Sequence, residues 1–188
     1  MRKVTSGLFI SLDGVVEAPH LWQFDVFDAD MEDAMIKMLA DIDTILLGRV
    51  TYQEWAGYWP TYQGEGGDME YANFINGTPK YVASTTLDRL EWQNSILIRG
   101  ALAGTINRLK AEPGGTIGVQ GSPTLVRSLL ERMLAADLLD ELTLIIHPVI
   151  AGSGKRLFPG DSELKRMSLI DSRITGSGVA LLTYAPRM

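Results

Sequence analysis

The chain has 188 residues, 46% of them hydrophobic, with 17 Lys and Arg against 23 Asp and Glu and a formal net charge of −6 at pH 7. That length suffices for one domain with a sizeable core, here expected over 1–188, and an acidic balance without any basic stripe argues against a nucleic-acid binder. The lack of cysteine excludes disulfides, iron–sulfur ligation and thiol catalysis, two histidines argue against a metal centre, and no apolar run reaches membrane-spanning length.

Lys3 to Leu12 reads as a first strand that ends at the turn pair Asp13-Gly14. Arg2 and Lys3 lead into Thr5, Ser6 and Ser11 rather than an apolar leader, so a cytoplasmic setting is expected. In the following loop, Trp22, Phe24 and Phe27 either cover a core or line a pocket. A helix starts at Asp28 or Asp30, either of which can cap it. Met31, Met35, Met38, Leu39 and Ile42 share one face, which predicts plain core packing for the methionines. Thr44 to Leu47 is a continuous apolar run suited to a strand buried on both faces. It runs into Gly48-Arg49, with a helix start at Thr51. Trp55 to Gly67 has no clean period and reads as loop with a helical turn, Met69 to Ile75 as a short helix. Lys80 to Ser84 is a strand ending in Ser84-Thr85-Thr86, and Ile96 to Ile98 a shorter one ending at Arg99-Gly100. Leu102, Ile106 and Leu109 mark a helix that Pro113-Gly114-Gly115 terminates.

Gly115 to Glu131 is the most informative stretch. Thr116 to Val119 is a buried strand. Gly121 permits a positive φ or a close approach, Ser122 is a good N-cap and Pro123 suits the first helical position. Leu125, Val126, Leu129, Leu130, Met133 and Leu134 then form one apolar stripe. A helix N-terminus at a strand end favours a phosphate; an ordinary strand-to-helix turn is the alternative. Asp140 to Ile150 alternates and then runs apolar, another strand ending at His147-Pro148, where a hydrogen-bonded structural histidine is expected. Gly152-Ser-Gly-Lys155 is no P-loop, because Val149 and Arg156 stand where that motif needs glycine and a hydroxyl. Leu164 to Ile174 and Gly178 to Tyr184 are late consecutive strands. The alternation of strands and helices, then strands alone, predicts an α/β fold: a central, mostly parallel sheet with helices on both faces and antiparallel C-terminal strands.

In such a sheet Gly48-Arg49-Val-Thr51, Ser84-Thr85 and Gly121-Ser-Pro-Thr124 lie along one edge, where ligands of open α/β sheets bind. Arginine offers phosphate a planar fork of donors. Three such ends point to a dinucleotide with several phosphates. Asp13 ends the first strand and, with Glu17, is the acid expected to face the crevice. Burial there would raise its pKa and suit it to donate a proton. Simple turn chemistry is the alternative for Asp13.

Together these residues resemble a known family. Gly48-Arg49-Val-Thr51-Tyr52 is similar to the Gly-Arg-x-Thr-aromatic motif of dihydrofolate reductases. Ser11-Leu-Asp-Gly14, Gly121-Ser-Pro-Thr-Leu125, Asp140-Glu-Leu142 and the block from His147 to Phe158 resemble signatures of the C-terminal reductase domain of the bifunctional deaminase/reductase of riboflavin biosynthesis. The resemblance implies a dihydrofolate-reductase-like three-layer fold and NADPH as hydride donor to a small heterocycle, such as a ribosylamino-pyrimidine (the 5-amino-6-(5-phosphoribosylamino)uracil type) or a pterin. It implies that Arg49 and Thr51 meet phosphates, beside Gly48. Ser84, Thr85 and Arg99 would lie near the 2′-phosphate. Gly121, Ser122, Pro123, Thr124 and Leu125 would hold the pyrophosphate. The family's substrate-binding acid falls near Glu32, with Asp30 and Asp33 beside it. Relatives of this kind also suggest a homodimer through the late strands and the segment from Gly152 to Phe158. A non-catalytic dimeric binder of a nucleotide or small molecule that keeps the fold is the rival reading.

Overall fold

A computed structural model describes residues 1–64, 67–131, 138–158, 160 and 164–187. Eight strands form one sheet: β1 (Val4–Ser11), β2 (Ile42–Gly48), β3 (Lys80–Ala83), β4 (Ser95–Leu97), β5 (Thr116–Val119), β6 (Glu141–His147), β7 (Met167–Ile174) and β8 (Ala180–Pro186). Their spatial order is β4-β3-β2-β5-β1-β6-β8-β7. The first six pair in parallel, and β8 runs antiparallel to both β6 and β7. This is the mostly parallel α/β sheet with antiparallel C-terminal strands that the sequence predicts. The helices are α1 (Ala29–Leu39), α2 (Arg49–Ala56), α3 (Gly67–Gly77), α4 (Leu102–Ala111) and α5 (Pro123–Glu131).

Strand alternation divides the core. Val4, Leu8 and Ile10 of β1 pack with Ile117, Val119 and the stripes of α4 and α5, among them Ile106, Leu109, Val126 and Leu129. Met133 and Leu134, expected to continue that stripe, lie outside the described residues. The opposite face carries two separate clusters. Met31 of α1 packs with Ile145, Val179 and Leu181, flanked by Phe9, Met35 and Met38. Ile45 and Leu47 of β2 pack with Tyr52, Ile75, Val82 and Trp92. Between them Thr5 pairs with Gly118 and Gly7 stands beside it, and there Met38 lies over Gly7 and Ile42 over Gly118. The cleft floor between α1 and the α2–α3 side therefore combines the small residues Thr5 and Gly7 with the Met38 and Ile42 side chains.

Local signals explain most element ends. Asp28 caps α1, its Oδ1 accepting from Met31 N at 2.9 Å. Helix α2 begins at Arg49, two residues ahead of the expected Thr51, because extended Gly48 (φ −81, ψ 160) takes the cap position. Strand β6 stops at His147, the strand end that the following Pro148 predicts, and Ile150 beyond it is exposed. Lys80 opens β3 yet is fully buried. Its Nζ donates to the carbonyls of Ile75 (2.7 Å), Asn76 (3.3 Å) and Thr78 (2.9 Å) at the end of α3, and lies 4.6 Å from the centre of the Trp92 ring. Pro79 has no N–H to give Ile75 four residues earlier, and the lysine supplies that missing donor.

Candidate functional site

Strands β3, β2 and β5 are neighbours in the sheet, so the turns at their C-terminal ends lie side by side. The turns after β2 and β5 are bonded to each other. Ser122 Oγ accepts from Gly48 N at 2.8 Å, and Ser122 N donates to Thr51 Oγ1 at 3.0 Å. Ser122 stands at the cap position that its place before Pro123 predicts, its carbonyl accepting from Val126 N at 3.0 Å, but its hydroxyl does not cap α5. Its hydroxyl is drawn to the neighbouring turn because the backbone takes φ 51 at Gly121 and φ 55 at Ser122. A left-handed serine is costly and persists only where its surroundings impose it. A Cβ on Gly121 would lie 3.1 Å from Thr51 Cγ2 and 3.3 Å from Trp55 Cζ2, so glycine alone fits without displacement.

Around this seam Leu125 is buried, Pro123 is half-buried and opens α5, and Thr124 is exposed. Arg49 is exposed at the start of α2, its NH1 donating to Gln53 Oε1 at 2.7 Å. Ser84 Oγ accepts from Thr86 N (3.1 Å) and Leu87 N (3.0 Å), which orders its turn and leaves Thr85 at the surface. All of these line one continuous cleft of about 2390 Å³. Arg99 does not join them: it is exposed, donates to Asp88 O at 2.9 Å and stands outside the cleft wall.

The cleft continues over its floor to the space between α1 and α3. Met35 and Met38 line it while also packing on the Met31 cluster, so two of the three methionines are wall as well as core. Phe24 and Phe27 line it too, whereas Trp22 packs against His147. The far wall is aromatic: Trp55, Trp59, Tyr71 and Phe74 make contacts with ring centres 5.0 to 6.3 Å apart. Of the three acids on α1, Asp30 and Asp33 are both paired with Arg173 of β7, and Glu32 lines the cleft. Gln120, just past β5, accepts from the Tyr71 hydroxyl at 3.3 Å. Sequence reading passed over both residues, because their only signal was position: Gln120 precedes the glycine turn, and Tyr71 sits on a helix whose burial the pattern did not define.

The acids at the β1 end behave differently from expectation. Asp13 Oδ1 accepts from Ser11 Oγ (2.7 Å) and Ala151 N (2.9 Å), and Oδ2 from Gly152 N (3.0 Å). With the Ser11 hydroxyl foremost, these donors hold its pKa down at about 2. A carboxylate so fixed is a clamp on the loop after β6, not a proton donor with a raised pKa, and it is absent from the cleft wall. Glu17 does line the cleft. It pairs with Lys155, whose ammonium and backbone N–H, at 3.2 and 3.1 Å, lower its pKa as well. Asp13→Asn is therefore expected to lower the thermal midpoint near neutral pH, where the carboxylate form is the stable one. The difference from the parent should shrink as pH falls below the ordinary 3.8 toward about 2 and the parent loses its own clamp. Thermal scans across that range check it. His147 is likewise not the hydrogen-bonded structural histidine expected. It is buried against Phe9 and Trp22 with neither ring nitrogen partnered among the described residues, and burial lowers its pKa.

Residues 2–181 match the model of the RibD C-terminal domain. The chain belongs to that family. The chain is 30% identical over 183 residues to the uncharacterized protein YyaP of Bacillus subtilis, covering 97% of this chain and 94% of that one. Among solved structures, a putative riboflavin biosynthesis protein from Shewanella superposes with a TM-score of 0.76 at 18% identity, over 99% of both chains. A dihydrofolate reductase from Enterococcus faecalis, solved with NADP(H), gives 0.61 at 12% identity over 99% of this chain and 97% of that one. At such identities the two structures show the fold alone, and it is the dihydrofolate-reductase-like one. Within the RibD C-terminal family the cleft described above is the candidate active site. No helix among the described residues is long and apolar enough to cross a membrane.

Proposed function

We propose that this RibD C-terminal-type chain is an NADPH-dependent reductase of a small heterocyclic substrate, acting in the cytoplasm as a homodimer. The observation that carries the reading is the pair of adjacent turns after β2 and β5, sewn together by Ser122 and flanked by the Ser84 turn. The residues fit a dinucleotide: Gly121 has no Cβ to obstruct a close backbone approach, and α5 begins beside it. The start of α5, from Pro123 to Leu125, and Ser122 would hold the pyrophosphate; Gly48, Arg49 and Thr51 would form the neighbouring wall, and Ser84 and Thr85 the adenosine end. When bound, NADPH supplies the hydride. The chain's own residues position the ring over the cleft floor and exclude water from it with the aromatic wall. Glu32 is the acid on α1 that reaches the cleft without an ion-pair partner among the described residues. It is the group to orient a substrate N–H.

The fixed, strongly acidic state of Asp13 favours a second reading, a binder without catalysis. The same experiment separates the two from a third outcome. Titration with NADPH and with NADH, read by quenching of Trp55 and its neighbours, should show preference for NADPH that Arg49→Ala weakens by about 10-fold, the scale of one charge-assisted contact. Binding without oxidation across a panel of heterocycles supports the binder. Failure to bind either nucleotide removes the reductase reading and leaves the fold.

A further inference from the structure

The floor of the cleft carries one polar side chain whose orientation the protein itself fixes. Gln120 follows β5 on the same face as Thr116 and Gly118. Its Nε2 lies 3.1 Å from where a Cβ on Gly118 would be, so the amide folds back over that glycine beside the Ile42 side chain, and Gln120 and Ile42 both line the cleft. Tyr71, on α3 across the cleft, reaches Gln120 Oε1 at 3.3 Å. Burial pushes the Tyr71 phenol well above its ordinary 10, so it remains a hydroxyl and a donor. With Oε1 accepting from Tyr71, the amide is held against the phenol and its Nε2 is turned away from it. The Nε2 donor has no protein acceptor among the described residues, and Oε1 retains a second lone pair. Trp55, Trp59 and Phe74, which also line the cleft, pack against the Tyr71 ring.

We propose that Gln120, positioned by Tyr71, determines substrate specificity by pairing with a lactam edge, the adjacent C=O and N–H of a planar ring lying on the aromatic wall. A primary carboxamide matches such an edge in both directions: N–H to the ring carbonyl and carbonyl to the ring N–H. A ring lacking the edge leaves both amide groups without partners in a partly dry site, which is how a polar pocket rejects an otherwise similar shape. This assignment rests on the reductase reading only for calling the cleft a substrate site. The pairing is a property of the side chains.

A matched pair of probes tests it: quinazolin-4-one, which has one lactam edge, and quinazoline, the same bicycle without it. Each is titrated by calorimetry into the protein alone. The parent should bind the lactam at least about 10-fold more tightly. Gln120→Leu should bring the ratio close to one. Tyr71→Phe should reduce it several-fold while quinazoline affinity stays put, a change in the ratio that mere loss of packing would not give. If Gln120→Leu fails to fold, Gln120→Met replaces it. Equal affinities in the parent, no detectable lactam binding, or a ratio that survives removal of the amide would each overturn the assignment. NADPH titration of the same variants reports on the reductase proposal separately, and Gln120→Leu is expected to leave it within about two-fold.

Discussion

Lys80→Ala should cost about 4 kcal/mol of unfolding free energy and lower the midpoint of thermal unfolding by roughly 12 °C. Lys80 combines two opposed effects. Burial makes its charge unwelcome and brings its pKa from 10.5 down to about 8, a penalty of about 3 kcal/mol at neutral pH. Against that stand the carbonyls it satisfies. Asn76 O also accepts from Asn94 Nδ2 at 2.9 Å, but Ile75 O faces Pro79 and has no helical donor. Orphaned buried carbonyls cost about 1–3 kcal/mol each, and the truncated stem leaves a cavity costing a further few kcal/mol. The losses win. Lys80→Met keeps the stem and should lose only about 1–2 kcal/mol, which separates packing from capping. The charge also leaves a signature in pH. Below about 8 both folded and unfolded chains hold the proton, and this group contributes no slope. Between about 8 and 10.5 only the unfolded chain holds it, so the parent gains stability relative to Lys80→Met as pH rises. Urea melts of both proteins from pH 7 to 10.5 measure the difference. A constant difference would mean that Lys80 titrates normally.

Lys80 also shows where sequence reading stops. Its place at the head of a short apolar run identified the strand correctly, but not which way the lysine turns. That it turns inward follows from Pro79, whose missing N–H creates a vacancy only visible once α3 is seen ending above it. The glycine turn after β5 repeats the lesson at the site. Strand, turn and helix were all legible from Gly121, Pro123 and the leucine stripe, because these are local choices of backbone conformation and periodicity. The partner of the Ser122 hydroxyl was not. A serine before a helix-starting proline predicts a cap, and the chain instead spends it on Gly48, 74 residues away in sequence. Asp13 was read as an acid in a crevice from its position at a strand end. Beside the local Ser11 hydroxyl, its partners Ala151 and Gly152 come from a loop that sequence spacing cannot bring near. Ionisation state follows hydrogen-bond partners, so an acid's role stays open until the partners are known. The family resemblance carried the fold because it rests on spaced blocks over nearly the whole chain. It did not carry Arg99, which the fold leaves outside the cleft, nor Gln120 and Tyr71.

Gly121→Val should abolish measurable NADPH binding, a loss of about 100-fold or more, while the protein stays folded. The residue has φ 51, where a β-branched side chain is strongly disfavoured. Even a bare Cβ meets Thr51 and Trp55 at 3.1 and 3.3 Å, and the two methyl groups of valine need space those side chains occupy. Thr51 is the acceptor for Ser122 N, so moving it loosens the seam between the β2 and β5 turns. The proposed pyrophosphate cradle then loses both its shape and its clearance. Backbone strain alone would also destabilise the protein, and a control isolates that part. Gly178, in the turn before β8, has φ 88 with nothing within 4 Å of a would-be Cβ. Gly178→Val should lose a similar 1–3 kcal/mol of stability and bind NADPH as the parent does. Intermediate behaviour is expected of Gly121→Ala, which pays about 1 kcal/mol for the left-handed conformation and needs Thr51 to shift by only a few tenths of an ångström. Should Gly121→Val bind NADPH as tightly as the parent, the turn after β5 is no phosphate cradle, and the dinucleotide must lie elsewhere in the cleft.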